Sequence, residues 1–119
     1  MIDSTPAILV IEDDADLRRS IALWLTETGY IALEAGDGQE GLARIREKRP
    51  DAVLLDLRLP VLDGFGVLTA LAAEKDVTPA IIISGLDEIQ GVIRAFRMGA
   101  ADYLQKPIVS FDLLAHALS

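Results

Sequence analysis

Two groups of acidic residues carry the chemistry this chain can do. Glu12-Asp13-Asp14 follows one short apolar run, and Asp56 closes another, Val53-Leu54-Leu55. At roughly 5 Å and an effective dielectric near 20, each pair of carboxylates repels by about 3 kcal/mol. Acids brought together there need a proton or a cation. A hard divalent ion suits them, because Mg2+ takes oxygen ligands, keeps waters and is held by one or two carboxylates plus a phosphate. Ser84, followed by Gly85, offers a hydroxyl donor with an open approach. Lys106, in Tyr103-Leu104-Gln105-Lys106-Pro107, offers a cation for phosphoryl oxygens. Singly, each reads as a turn residue, a helix cap or a solvated charge, and Asp14 is assigned to capping. As a set they are equipment for phosphoryl transfer, where positioning and charge neutralisation do most of the catalysis. No Gly-rich nucleotide loop is present, so the phosphoryl group is expected from a partner or a small donor.

These residues need a scaffold that gathers strand ends. Apolar runs at Ala7–Ile11, Ile31–Ala35, Ala52–Leu55, Ala80–Ile83 and Tyr103-Leu104 alternate with segments of helical spacing. The first helix carries Leu17, Ile21, Trp24, Leu25 and Thr28, and ends at Gly29. The second carries Leu42 and Ile45 and stops at Pro50. The third runs from near Gly64 to Lys75, with Val67, Leu68 and Leu71 inward. The fourth carries Ile89, Val92, Ile93 and Phe96, and the fifth spans Ser110–Leu118. This (βα)5 pattern predicts an α/β fold of the flavodoxin-like kind. It is a doubly wound parallel five-stranded sheet in the order 2-1-3-4-5, with right-handed crossovers. Strands one and three are then neighbours, about 4.8 Å apart, and Asp13 and Asp56 converge at the switch point. Glu12 is expected to reach a metal through water. Lys106-Pro107 is a candidate cis peptide.

Composition excludes several classes. At 119 residues with 51% hydrophobic side chains, residues 1–119 make one domain with a real core. The last helix has room for about two and a half turns, so a domain cut from a longer chain is expected. A net charge of −8 disfavours direct nucleic-acid binding, which needs Lys/Arg patches. There is no cysteine and no apolar run long enough for a membrane span. Met1–Pro6 lacks the basic and apolar regions of a signal peptide. A cytoplasmic protein is the expectation.

With these motifs in place, the chain resembles the receiver domains of bacterial two-component response regulators, chemotaxis-regulator-like in fold. The likeness covers Ile8 to Leu118. It rests on Ile8-Leu9-Val10-Ile11-Glu12-Asp13-Asp14, on Pro50 through Pro60, on Asp63-Gly64, on Ile83-Ser84-Gly85 and on Gly99 through Pro107. The resemblance implies that Asp56 takes a phosphoryl group from a sensor histidine kinase or a histidine phosphotransfer protein. It implies that Glu12, Asp13, Asp56 and the backbone carbonyl of Arg58 bind Mg2+, with Mn2+ able to substitute. Ser84 and Lys106 then hold phosphoryl oxygens, and Tyr103 swings inward as Ser84 is drawn to the phosphate. The surface that changes is helix 4, strand 5 and helix 5, which also serves homodimers in some relatives. Here His116 stands where an arginine is frequent, which weakens a dimer of that type. Arg58 and Leu86 occupy positions that influence dephosphorylation in relatives. Such a domain assists its own phosphorylation and dephosphorylation and is not a multiple-turnover enzyme.

Two other classes compete. A Mg2+-dependent phosphatase with an aspartate nucleophile usually places that residue after the first strand, within an Asp-x-Asp motif, whereas Asp56 follows the third. An unphosphorylated interaction module has no need of the intact Glu12/Asp13/Asp56/Ser84/Lys106 set. Elsewhere, Trp24 is expected in the core, His116 at the surface, and Arg18, Arg19, Arg46, Lys48 and Arg49 on solvated helix faces, with Arg18 and Arg19 able to meet a kinase. Gly91, inside the fourth helix, either loosens that helix or relieves crowding.

Overall fold

A computed structural model of the chain describes residues 5–108 and 111–118. Ser110, the expected start of the last helix, lies outside them. Five parallel strands, β1 (Ala7–Ile11), β2 (Ile31–Ala35), β3 (Ala52–Asp56), β4 (Ala80–Ser84) and β5 (Asp102–Gln105), form one sheet in the order β2-β1-β3-β4-β5. The helices are α1 (Ala15–Glu27), α2 (Gly38–Lys48), α3 (Gly64–Ala73), α4 (Ile89–Arg97) and α5 (Phe111–Leu118), with a 3-10 turn at Leu86–Glu88. This is the fold that the alternation of segments predicts. None of the described helices is long and apolar enough to cross a membrane.

Strand periodicity divides the core in two. Leu9, Ile11, Val53, Leu55 and Ile82 face α2, α3 and α4, packing on Ile45, Val67 and Val92. Ile8, Val10, Leu54, Ile81 and Ile83 face α1 and α5, packing on Ile21, Leu25 and Leu114. The two central strands β3 and β4 are buried along their whole length, which is why their sequences run apolar without alternation. Helix starts are fixed by side chains. Asp14 accepts from the Asp16 and Leu17 amides, Asp37 from Glu40 and Asp63 from Gly66. At Gly64 a Cβ would stand 2.7 Å from the Asp56 carbonyl oxygen, so only glycine lets α3 start directly behind that acid.

Four details depart from the sequence reading. Helix α3 ends at Ala73 rather than Lys75, and Lys75 adopts φ +55°, a left-handed conformation that cannot continue a helix. Helix α4 buries only Val92 and Ala95 and leaves Ile89, Ile93 and Phe96 at 44%, 41% and 44% exposure. Trp24 is half-buried at the edge of the α1/α5 core rather than inside it. Arg18 is not on a solvated face, as described below. At Gly91 a Cβ would meet Phe65 at 3.3 Å and Leu57 at 3.4 Å, which favours relief of crowding.

Candidate functional site

The C-terminal ends of β1, β3, β4 and β5 meet at one edge of the sheet. Ile11 pairs in register with Leu55, so the next positions, Glu12 and Asp56, lie side by side. The register puts Glu12 directly opposite Asp56, with Asp13 one residue further, exposed at the rim but with its carboxylate still beside theirs. Glu12 is fully buried and Asp56 is 3% exposed. One carboxylate oxygen from each of Glu12, Asp13 and Asp56 lies within 4.8 Å of the other two.

Lys106 reaches this cluster from the end of β5. Its Nζ donates to Asp56 Oδ2 at 2.8 Å and stands 2.5 Å from Glu12 Oε1. The second contact is an ion pair, and Glu12 Oε1 is buried with no other partner among the described residues. Burial, and then the neighbouring Asp56 carboxyl, push the Glu12 pKa up to about 7, with Lys106 opposing both. Burial alone would lower the Lys106 pKa, but its bonds to Asp56 and Glu12 outweigh that and leave it raised. The Lys106-Pro107 peptide is cis. The carboxylate set is all oxygen and crowded with negative charge. Such a set fits a hard divalent cation.

The far side of the site comes from β4 and β5. Ser84 is fully buried and its Oγ has no hydrogen-bond partner among the described residues. Its carbonyl oxygen, by contrast, accepts twice, from the Lys106 amide at 2.8 Å and from the Tyr103 hydroxyl at 3.3 Å. Tyr103 is half-buried, and its hydroxyl is tied to Ser84 rather than left to water. The Arg58 amide donates to Asp56 Oδ1 at 3.2 Å. The Arg58 side chain crosses to the loop after β4, where it meets Asp87 at 3.0 Å and Glu88 at 3.3 Å. The Leu86 side chain lies outside the described residues.

Two features escape a reading of the sequence by motif. The Arg58 pairs are one, because nothing in the spacing of Asp87 and Glu88 announces them. Arg18 is the other. Its Nη1 donates to the Glu12 carbonyl oxygen at 2.7 Å and its Nε donates to Glu34 on β2 at 3.1 Å. Its side chain is 19% exposed, against 76% for Arg19. A signal did exist, since residues 18, 21, 22 and 25 follow helical spacing and the last three are buried. Arg19, Arg46, Lys48 and Arg49 are exposed, as is His116. Arg46 makes a paired contact with Glu74, with Nη2 to Oε2 at 2.6 Å.

The chain is similar to known proteins along nearly its whole length. Residues 8–118 match the family model described as response regulator receiver domain. The chain is 39% identical over 112 residues to the transcriptional regulatory protein PrrA of Mycobacterium leprae, covering 94% of this chain and 48% of that protein. It is 39% identical over 108 residues to the response regulator MprA of Mycolicibacterium vanbaalenii, covering 91% of this chain and 47% of that protein. The chain thus spans about half the length of these curated relatives. Among solved structures, the receiver domain of the Francisella response regulator 1452 superposes with a TM-score of 0.87 at 32% identity, covering 96% of this chain and 94% of that one. By fold, by the match along nearly its whole length and by these relatives, the chain belongs to the response regulator receiver domains of two-component signalling.

Proposed function

We propose that this receiver domain is a phosphorylation-dependent switch that accepts a phosphoryl group on Asp56. The donor is a phosphohistidine of a sensor histidine kinase or histidine phosphotransfer protein, or a small acyl phosphate. The observation that carries this reading is Lys106 Nζ held between Asp56 and Glu12 at the strand ends. A cation placed there can pass from carboxylate to phosphoryl oxygens without crossing the site. Asp56 attacks phosphorus in line, the bond from phosphorus to the donor's nitrogen or oxygen breaks, and its electron pair leaves with the donor. Asp56 then carries an acyl phosphate with added negative charge and strong acceptor oxygens. The Ser84 hydroxyl, buried without a partner, gains an acceptor in that product. Glu12, Asp13, Asp56 and the Arg58 carbonyl would hold Mg2+, which when bound neutralises charge on the transferring group.

The hydroxyl's movement toward phosphate is transmitted through the Ser84 carbonyl, which already holds Tyr103 and the Lys106 amide. The output surface in this reading is α4, β5 and α5, where Ile89, Ile93 and Phe96 stand partly exposed. It serves a partner or a second copy of the chain. PrrA is named a transcriptional regulatory protein, and control of transcription is the matching output for a longer chain that carries this domain. A location in the cytoplasm, where a kinase can reach Asp56, goes with this reading.

Incubation with acetyl phosphate tests it. Incorporation of phosphate, mapped to Asp56, dependent on Mg2+ and lost in Asp56→Asn, is the expected result. Incorporation in Asp56→Asn would mean a different acceptor. A lack of incorporation from acetyl phosphate and kinase alike would favour an unphosphorylated interaction module. Continuous turnover of added phosphate esters would favour a phosphatase.

A further inference from the structure

Asp13 is the member of the acidic trio with the least to hold it. No described side chain or amide bonds its carboxylate, so its aim is set by its backbone. That backbone lies between two fixed points. On one side, the Glu12 amide donates to the Ala35 carbonyl at 3.1 Å and makes the last bond between β1 and β2. On the other, Asp14 caps α1. The Glu12 carbonyl lies between these points, beyond the last paired residues of β1 and β2, and Arg18 takes it at 2.7 Å. Because a peptide unit is planar, fixing that carbonyl fixes the plane from which Asp13 departs. The guanidinium is itself held, with Nε on Glu34 at 3.1 Å. An arginine can serve both partners because its donors are set in a rigid fork.

We propose that Arg18 is a positioning residue for the divalent-cation site, acting through the Glu12–Asp13 peptide, with Glu34 as its anchor. This inference rests on the reading of Glu12, Asp13 and Asp56 as that site. Arg18 touches neither the cation nor the phosphoryl group. It makes the acidic loop rigid before either arrives. Two simpler roles give different results when it is removed. A purely structural Arg18–Glu34 pair would lower thermal stability and leave cation affinity alone. A purely electrostatic arginine would repel the cation, so its removal would tighten binding. Positioning alone makes removal weaken binding, by about tenfold on the scale of groups that orient metal ligands from behind.

The experiment is a Mn2+ titration of the 119-residue chain, following free Mn2+ by electron paramagnetic resonance. It is run at a temperature where circular dichroism shows each variant folded. Arg18→Met should bind Mn2+ about tenfold more weakly than the unaltered chain. Arg18→Lys keeps the charge but not the fork, and should weaken binding by a smaller factor. It also serves alone should Arg18→Met fail to fold. Unchanged or tighter binding in the variants, with normal binding by the unaltered chain, overturns the role of Arg18 and leaves the cation site standing. Absence of Mn2+ binding by the unaltered chain overturns the cation site, and the positioning role with it.

Discussion

The two walls of the acidic site are built to different rules. The β1 wall has its backbone already engaged. Glu12 is fully buried, its carbonyl is taken by a mostly buried arginine, and the loop runs straight into a capped helix. The β4 wall keeps bonding capacity in reserve. The Ser84 hydroxyl has no partner, and the Tyr103 bond to the Ser84 carbonyl is long at 3.3 Å. The loop beyond is tied to Arg58 through a side chain that is 68% exposed, and α4 leaves three large apolar residues half in water. An element can switch between two packings only where neither is overwhelmingly favoured. By that criterion, in the proposed reaction the β1 wall would act as a fixed template and the β4 wall as the place where a phosphoryl group shifts the balance.

Lys106 bridges the walls, and its loss should have the largest effect. Lys106→Met leaves two buried carboxylates facing each other. It should cost about 2 kcal/mol in urea unfolding, below the ~3–5 kcal/mol of a fully buried pair because Lys106 is partly exposed. It should also slow phosphate incorporation severely. Unchanged stability would mean that the bridge contributes little to holding the walls together.

A pH titration probes the β1 wall next. The Glu12 carboxyl titrates near 7 in the fold against 4.5 ordinarily. A folded-state pKa above the unfolded one means that the fold holds the proton more tightly. This contribution to stability is complete below about pH 4.5 and is lost as pH climbs through about 7. The melting temperature in EDTA should therefore fall between about pH 5 and 8, and millimolar Mg2+ should restore it at the upper end. A melting temperature that rises across this window would contradict the assignment.

Smaller changes sharpen the contrast. Ser84→Ala removes an unpaired buried hydroxyl and should leave stability unchanged or raise it by up to about 1 kcal/mol, while phosphate incorporation slows. A substantial loss of stability would show that the hydroxyl is already bonded. Arg58→Ala breaks ion pairs made by a side chain that is 68% exposed and should shift the unfolding free energy by less than about 1 kcal/mol. A shift of several times that would make the β4 loop a fixed element like its counterpart.

Most of the fold and the membership of the site were legible because they depend on pattern. The apolar run closing in Asp56 marks a strand buried on both faces, and Asp14 marks a helix start by its position before a periodic segment. What stayed hidden depends on registration in three dimensions. Strand order places β1 beside β3 and so brings Asp13 near Asp56, but only the register decides that Glu12 stands directly opposite Asp56. Hydrophobic spacing finds α4 but does not say that Ile89, Ile93 and Phe96 stay partly in water. A charge at the head of a buried helical stripe hinted at Arg18. Its two acceptors, a carbonyl on β1 and a carboxylate on β2, meet only in the folded chain.

The contrast between the walls is tested most directly by amide chemical shifts of the labelled chain, before and after acetyl phosphate with Mg2+. The expected result is a set of large shifts through residues 84–98 and 102–106, with the amides of α1 and β2 beyond the acidic loop little changed. Shifts centred on α1 and β2 with α4 and β5 unmoved, or no shifts beyond the residues touching Asp56, would contradict it.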